Sequence, residues 1–261
     1  MLTKILNLST HCGTLRFISF SLMCLEKLSN EVRSLLHRHG LLNELVARHI
    51  RSEIVCSTQL TDVELDDLHK LLFKKFSVET IDELEKHVNG LGLTMDDTFM
   101  QASLQIKIKK YSHLEFVSKA EAHFLVRKSD LDSVVYSLLR LKDPGLANEL
   151  FLQISGGEAD FAELSARYSE GSEQKTRGIV GPGPMAKAHP QLRKLLLTAK
   201  AGVVMPPIYV ETWYLIVRLE SHIPAVFDDS MAELMELELF NLRVQSQSAE
   251  LFNSLLPTFL V

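Results

Sequence analysis

The 261-residue chain is long enough for one large domain or two modest ones, and its 46% hydrophobic and 23% charged content is typical of a globular protein. A formal charge of −5, with no basic face in the sequence, gives no electrostatic reason to expect nucleic acid as a partner. Three cysteines at unrelated spacings predict neither a disulfide framework nor a zinc site, and no run reaches the ~20 apolar residues of a membrane span. We therefore expect a cytoplasmic protein without a metal or cofactor.

The sequence leaves the status of residues 1–30 open. The stretch "LRFISFSLMCL" at 15–25 is mildly apolar, but serines interrupt it, and Met23 precedes Cys24 where a lipoprotein signal would need a small residue. We favour a packed or frayed segment. The alternatives are translation from Met23, or a signal in residues 1–24 that directs export or membrane attachment.

Residues 31–130 carry the signals of several helices and none of a strand, which predicts an all-helical module. One apolar helical face is expected over 31–56, and a later helix over 112–128. Three capping motifs, each a threonine followed three residues later by an acid, mark the starts of further helices. They are TDVE at 61–64, TIDE at 80–83 and TMDD at 94–97, the last opening a helix towards Ile108.

The pattern changes near residue 131, where β-branched and aliphatic residues at 133–141 predict a strand. The predicted elements that follow are helices at 145–155 and 159–167, a glycine- and proline-rich loop at 178–190, a short helix that ends near Gly202, and a hairpin of the strands "PPIYV" and "WYLIVRLE". After Pro224, a long helix with acidic residues in its first turn should run over 227–261 and pack on the helical module. The predicted fold class is α+β, with a small antiparallel sheet flanked by helices.

Four stretches carry a family resemblance: "YSLLRLKD", "GGEADFAELSARYSEGS", "RGIVGPGP" and "AGVVMPPIYVETWYLIVRLE". Together they resemble the parvulin-type (PpiC) peptidyl-prolyl cis-trans isomerases. The resemblance implies an isomerase domain at 131–226 that acts on Xaa-Pro bonds of unfolded or extended polypeptides. The helices at 31–130 and 227–261 are similar, at the level of pattern, to the chaperone segments of SurA-type parvulins.

The resemblance also implies a site, in which Tyr214 stands at the position of a family histidine and can still donate a hydrogen bond from its hydroxyl. Leu138 stands at the position of the other histidine, so most of the polar set is absent. Tyr214 is the predicted catalytic residue. The predicted substrate-binding residues are Leu138, Gly171, Val180, Met185, Ala188, Leu192 and Trp213.

Two functions follow as alternatives. The first is a prolyl isomerase and foldase, and the second is a weakened or inactive parvulin that binds peptides as a chaperone or docking module for a maturation or export system. Tyr214 and Trp213 are equally well interpreted as residues that fill the sheet. Lys175 and Arg177 flank the loop and would suit an acidic residue before proline, although solvent exposure is the favoured interpretation. The helical module is also a candidate surface for homodimerisation.

Overall fold

The computed structural model describes residue 25 and residues 27–255, so the alternatives for residues 1–24 fall outside it. The chain divides into two compact units. The helical unit comprises residues up to Glu121 together with those from Asp229 onwards, and the sheet unit comprises Ala122–Asp228. The α+β fold class is confirmed. No helix in the described part of the chain is both long enough and apolar enough to cross a membrane.

The described helices and strands are numbered in chain order. They are α1 (Asn30–Arg38), α2 (Leu41–Ile54), α3 (Asp62–Phe76), α4 (Ile81–Gly90), α5 (Met95–Leu131), β1 (Ser133–Leu141), α6 (Pro144–Ser155), α7 (Phe161–Tyr168), β2 (Ile179–Pro184), α8 (Pro190–Thr198), β3 (Val204–Val210), β4 (Trp213–Ile223) and α9 (Asp229–Leu255).

Two of the predicted helix starts have the full hydrogen-bond pattern of a capping box. Thr61 accepts from the backbone N–H of Glu64, whose carboxylate accepts from the N–H of Thr61, and the pair Thr80 and Glu83 repeats this arrangement. Each reciprocal pair satisfies backbone donors that a helix otherwise leaves without partners in its first turn. The local sequence therefore determines where α3 and α4 begin.

The prediction of one helical face over 31–56 is wrong in one respect. The chain forms two helices there, α1 and α2. Gly40 separates them with a φ of +71°, a left-handed backbone conformation that glycine adopts without a steric penalty. The opposite difference occurs at α5, where the structure joins two expected helices into one. Neither glycine nor proline occurs between Met95 and Leu131, so no residue stops the helix.

The helical unit draws its core from both ends of the chain. Leu42 and Val46 of α2 pack with Leu251 of α9, and all three side chains are at least 95% buried. A second cluster places Phe116 of α5 against Phe240 of α9. Residues separated by about two hundred positions in sequence therefore share one apolar core.

The sheet has four antiparallel strands in the order β2–β1–β4–β3. Strand β2 corrects the prediction of a loop over 178–190, because Ile179–Pro184 pairs with β1. Glycine and proline are depleted in strand interiors, which hides β2 from a composition-based prediction. An edge position tolerates proline, since only one side of the strand needs backbone donors.

Helices cover both faces of this sheet. Consecutive residues of β1 point to opposite faces, so Leu138 joins a cluster with Leu192 of α8, while Leu139 joins one with Phe161 of α7. Helix α8 therefore covers one face and helices α6 and α7 cover the other. The predicted proline pocket belongs to the face covered by α8.

Candidate functional site

The face covered by α8 carries a contiguous apolar cluster, which we call the α8-side cluster. Six of the eight predicted site residues belong to it: Leu138, Met185, Ala188 and Leu192 are buried members, and Val180 and Trp213 pack against it partly exposed. Its other buried members are Val134, Tyr136, Leu196, Val210, Leu215, Val217 and Leu219. Residues from all four strands and from α8 thus meet in the cluster that contains these six predicted site residues.

Tyr214 lies elsewhere. Its side chain packs against the cluster on the opposite face, with Phe161, and its ring centroid is 5.0 Å from that of Tyr209. The next residue, Leu215, is buried in the α8-side cluster. Strand alternation explains this, because a shift of one residue moves a side chain to the other face of a sheet. The catalytic role of Tyr214 stays a prediction, and Val217 is the β4 residue that the structure pairs with Leu138.

Tyr136 is a member of the α8-side cluster that the sequence analysis did not select. Among the described residues of this cluster it is the only one with a hydroxyl group. Burial raises the pKa of this hydroxyl above its ordinary value of 10.0, while the nearby charges of Arg140 and Glu173 act on it in opposite directions. The phenol therefore remains protonated at neutral pH and can donate a hydrogen bond. Residues two positions apart in a strand point to the same face, so the position of Tyr136 two residues before Leu138 was the signal available in the sequence.

A buried ion pair anchors the loop between α7 and β2. The Arg140 guanidinium donates to both carboxylate oxygens of Glu173, at 3.0 Å and 2.6 Å, and the Ser169 hydroxyl donates to the same carboxylate at 2.6 Å. The Glu173 side chain is only 2% exposed, whereas that of Arg140 is 31% exposed. A charged residue within the apolar strand β1 requires such a partner, and Arg140 was the sequence signal for it.

Gly171 lies inside this anchor rather than in the α8-side cluster. A Cβ atom at this position would meet the Glu173 carboxylate and the Arg140 guanidinium. The anchor continues through the backbone, where Gly178 N–H donates to the Glu173 carbonyl and Leu138 N–H donates to the Gly178 carbonyl, both at 2.8 Å. The loop is thereby fixed to β1 at the level of the predicted pocket residue Leu138.

The Glu173 carboxylate has an unusual pKa for a buried acid. Burial alone raises this pKa, but hydrogen bonds from Arg140 and Ser169 outweigh it and hold the pKa below its ordinary value of 4.5. Because the folded-state pKa is the lower one, the stabilisation is complete above the unfolded-state pKa and is lost as the pH falls through the folded-state pKa.

We therefore expect the stability advantage of wild type over Glu173→Gln to be constant between about pH 6 and pH 8 and to shrink below about pH 4.5. The measurement is urea unfolding of both proteins across this range. An advantage that persists undiminished at about pH 3 would contradict the assignment of the ionised form.

Asp132 makes a second group of polar contacts beside the α8-side cluster. The Asp132 carbonyl accepts from Met185 N–H at 2.8 Å, and its carboxylate accepts from Ala225 N–H at 2.8 Å and contacts His222 Nε2 at 2.7 Å. Asp132 is 7% exposed. One residue thus joins the start of β1, the segment that carries Met185, and the end of β4.

The partly exposed side chain of Trp213 borders the cluster at the β3–β4 turn. The Lys142 ammonium lies 5.2 Å from the Trp213 ring centroid, and Lys142 N–H donates to the Glu170 carboxylate at 2.8 Å. This places the partly exposed indole beside the anchored loop. Within the described chain, no three side chains of His, Cys, Asp or Glu form a group that would hold a metal ion.

Part of the sheet unit is similar to a known protein family. Residues 145–221 match the family model described as rotamase, PPIC-type PPIase domain. The matched residues lie within the sheet unit and include α6, α7, α8 and strands β2, β3 and nearly all of β4. The match confirms the resemblance to the parvulin-type isomerases.

Whole-chain similarities are more distant. The chain is 26% identical over 221 residues to the foldase protein PrsA of Halalkalibacterium halodurans, covering 78% of this chain and 63% of that protein. The chain thus spans less than two thirds of the length of this relative. It is also similar to the crystal structure of the peptidylprolyl isomerase PrsA from Bacillus anthracis, with 17% identity, a TM-score of 0.49 and coverage of 82% of this chain and 97% of that one.

Proposed function

Because residues 145–221 form a PPIC-type PPIase domain by their family match, we propose that the protein is a peptidyl-prolyl cis-trans isomerase and foldase. Its substrates are Xaa-Pro bonds in unfolded or extended polypeptide clients. The observation that carries the proposal is the coincidence of this match with the α8-side cluster, in which six predicted site residues meet.

The chemistry requires neither a nucleophile nor a metal ion. Amide resonance sets a barrier of about 18–20 kcal/mol to rotation about the peptide bond. Planar and twisted amides differ in polarity, because the planar form carries the charge-separated resonance structure. Removing the planar amide from water destabilises it relative to the twisted form, and an apolar surface around the proline ring supplies that removal.

A hydrogen-bond donor adds to this effect when it favours the twisted amide over the planar one. In the α8-side cluster the Tyr136 hydroxyl is the donor available for this role. Val180 of β2 and Leu219 of β4 are the residues paired with Tyr136 on either side of it in the sheet, and both pack in the same cluster. We assign Tyr136 the polar role that the sequence analysis gave to Tyr214.

The alternative is a parvulin domain that binds peptides without turning them over. Two observations favour it. Leucine stands at the predicted histidine position 138, and the side chains of Leu138, Met185 and Leu192 are at least 95% buried. A site built in this way contacts a client through its partly exposed members Val180 and Trp213, as a chaperone or a docking module would.

We expect wild type to accelerate cis/trans exchange of short Xaa-Pro peptides in NMR exchange spectroscopy. Loss of one donor should lower the catalysed rate of Tyr136→Phe about tenfold, because a positioned hydrogen bond contributes about 1.4 kcal/mol or more to the transition state. Tyr214→Phe is the matched variant, with the same atom removed on the opposite face of the sheet.

The two variants separate the assignments. A reduction confined to Tyr214→Phe would restore the sequence-based prediction and remove Tyr136 from the mechanism. Absence of exchange in wild type, while peptides still shift resonances near Trp213, would overturn the isomerase proposal and support the binding module. Leu138→His places a histidine at the position where the resemblance implies one. The exchange rate of this variant is the reference for a site with that histidine restored.

The remaining assignments are proposals of the same kind. We propose that the isomerase domain spans 131–226, that the helices at 31–130 and 227–261 act as a SurA-like chaperone module, and that this module is also the surface for any homodimer. For the compartment we propose the cytoplasm, with an exported or membrane-attached location as the alternative if residues 1–24 act as a signal.

A further inference from the structure

A cleft of about 260 Å³ lies in the helical unit, between the end of α2 and the first third of α5, and we call it the α2–α5 cleft. Its apolar wall consists of Val55, Met100 and Leu104. Val55 is buried, and Leu104 packs against the same apolar cluster, so this wall is part of the core of the unit. Pockets for drug-sized ligands measure about 300–1,000 Å³, and the volume of the cleft therefore suits a smaller molecule.

Two side chains of opposite charge line the same cleft. Glu53 comes from α2 and Lys107 from α5, and both residues are half-buried. Within the part of the chain that the structure describes, they form no ion pair with each other or with any other side chain. A charge that is partly removed from water without a partner loses hydration and gains nothing in return. The cleft thus offers one cation and one anion to a ligand.

The position of Glu53 in its helix shows which charge is favoured on that side of the cleft. Glu53 lies in the last turn of α2, which ends at Ile54. Carbonyl groups give the C-terminal end of a helix a partial negative charge, so a carboxylate is unfavourable there and a cation is stabilised. A positive group of a ligand at Glu53 would relieve this repulsion. The lysine on α5 provides the matching contact for a negative group.

We propose that the α2–α5 cleft binds a free α-amino acid with an apolar side chain. The ammonium group contacts Glu53, the carboxylate contacts Lys107, and the side chain packs on Met100 and Leu104. A ligand with a single charge would leave one of the two protein charges without a partner, whereas a zwitterion satisfies both. The inference concerns the helical unit, goes beyond the proposed isomerase function and does not depend on it.

The test is NMR titration of the isotope-labelled full chain with L-leucine and three blocked derivatives. The pH is about 6.5, where a ligand amino group stays protonated. N-acetyl-leucine lacks the ammonium group, leucine amide lacks the carboxylate, and N-acetyl-leucine amide lacks both. We expect saturable shifts with L-leucine at the residues that line the cleft. Each singly blocked derivative should bind about fivefold more weakly, which corresponds to the loss of roughly 1 kcal/mol for one charge contact.

Two variants assign the contacts to individual side chains. Glu53→Gln should weaken binding of L-leucine about fivefold without weakening that of N-acetyl-leucine, which has no ammonium group to lose. Lys107→Gln should weaken binding of L-leucine and N-acetyl-leucine but not of leucine amide. Glu85→Gln on α4 and Lys74→Gln on α3 are the matched controls, because they make the same changes of net charge at exposed positions outside the cleft.

The exposed Cys56 also lines the cleft and provides a second readout. Bound L-leucine should slow its alkylation by iodoacetamide, measured by mass spectrometry of the peptide that contains it. An unchanged rate would place the ligand elsewhere and overturn the proposal. Absence of saturable shifts, equal affinities for L-leucine and both singly blocked derivatives, or equal effects of the cleft variants and their controls would also overturn it. Equally tight binding of N-acetyl-leucine amide would overturn it in favour of an apolar polypeptide segment.

Discussion

Glu173→Gln is expected to lower the free energy of unfolding of the sheet unit by about 2–4 kcal/mol at neutral pH. Removal of one partner of a buried ion pair costs about 3–5 kcal/mol, and the partial exposure of Arg140 reduces this value. Trp213 is the only tryptophan in the chain and lies in the sheet unit, so its fluorescence during urea unfolding reports on this unit.

Two further variants determine whether the ion pair itself is responsible. Glu170→Gln alters a neighbouring, more exposed carboxylate whose contact with Lys142 N–H an amide oxygen can replace, so its effect should stay within about 0.5 kcal/mol. The double variant Arg140→Met, Glu173→Met should recover part of the loss, because apolar side chains leave no buried charge without a partner. A double variant less stable than Glu173→Gln would contradict this account.

Gly181→Ala is expected to destabilise the sheet unit by about 2–4 kcal/mol, through two effects that act together. Gly181 has a φ of +107°, in the region that residues with a Cβ rarely adopt, and an added Cβ would collide with the backbone carbonyl of Val134 in β1. Backbone atoms of a central strand cannot move aside without breaking the pairing of β1 and β2.

Gly183→Ala is the matched control two residues away in the same strand. A Cβ there meets no atom within 4 Å, and Gly183 is not among the glycines with positive φ. Its effect should stay within about 0.5 kcal/mol, measured by the same Trp213 fluorescence. Similar destabilisation by both substitutions would show that β2 disfavours any side chain and that the contact with Val134 is not the cause.

Local signals predicted much of the fold. The capping boxes at Thr61 and Thr80 and the β-branched run of β1 specify their elements through residues close in sequence. Strand β2 was missed because its pairing with β1 compensates for a glycine- and proline-rich composition, and pairing is a property of distant residues. The split at Gly40 depends on one left-handed backbone conformation that an apolar periodicity does not detect.

The apolar residues of the site could be predicted from the sequence, but its polar residues could not. The resemblance to the parvulin-type isomerases implied Leu138, Val180 and Leu192 as site residues, and all three pack in the α8-side cluster. A shift of one residue transfers a strand position to the other face, and Tyr214, at the position that the resemblance implies, packs with Phe161 on the face opposite to Leu138. The Arg140–Glu173 anchor depends on a loop that returns to β1, and no local pattern encodes that return.

The discontinuous core of the helical unit has a consequence for synthesis on the ribosome. Leu42 and Val46 obtain their partner Leu251 only after the intervening sheet unit has been translated. At about 5–20 residues per second the chain between Val46 and Leu251 takes roughly 10–40 s to synthesise, whereas the contiguous sheet unit can fold as soon as it emerges. The nascent chain therefore presents the apolar faces of its first helices unburied, and a chain that terminates before α9 keeps them so.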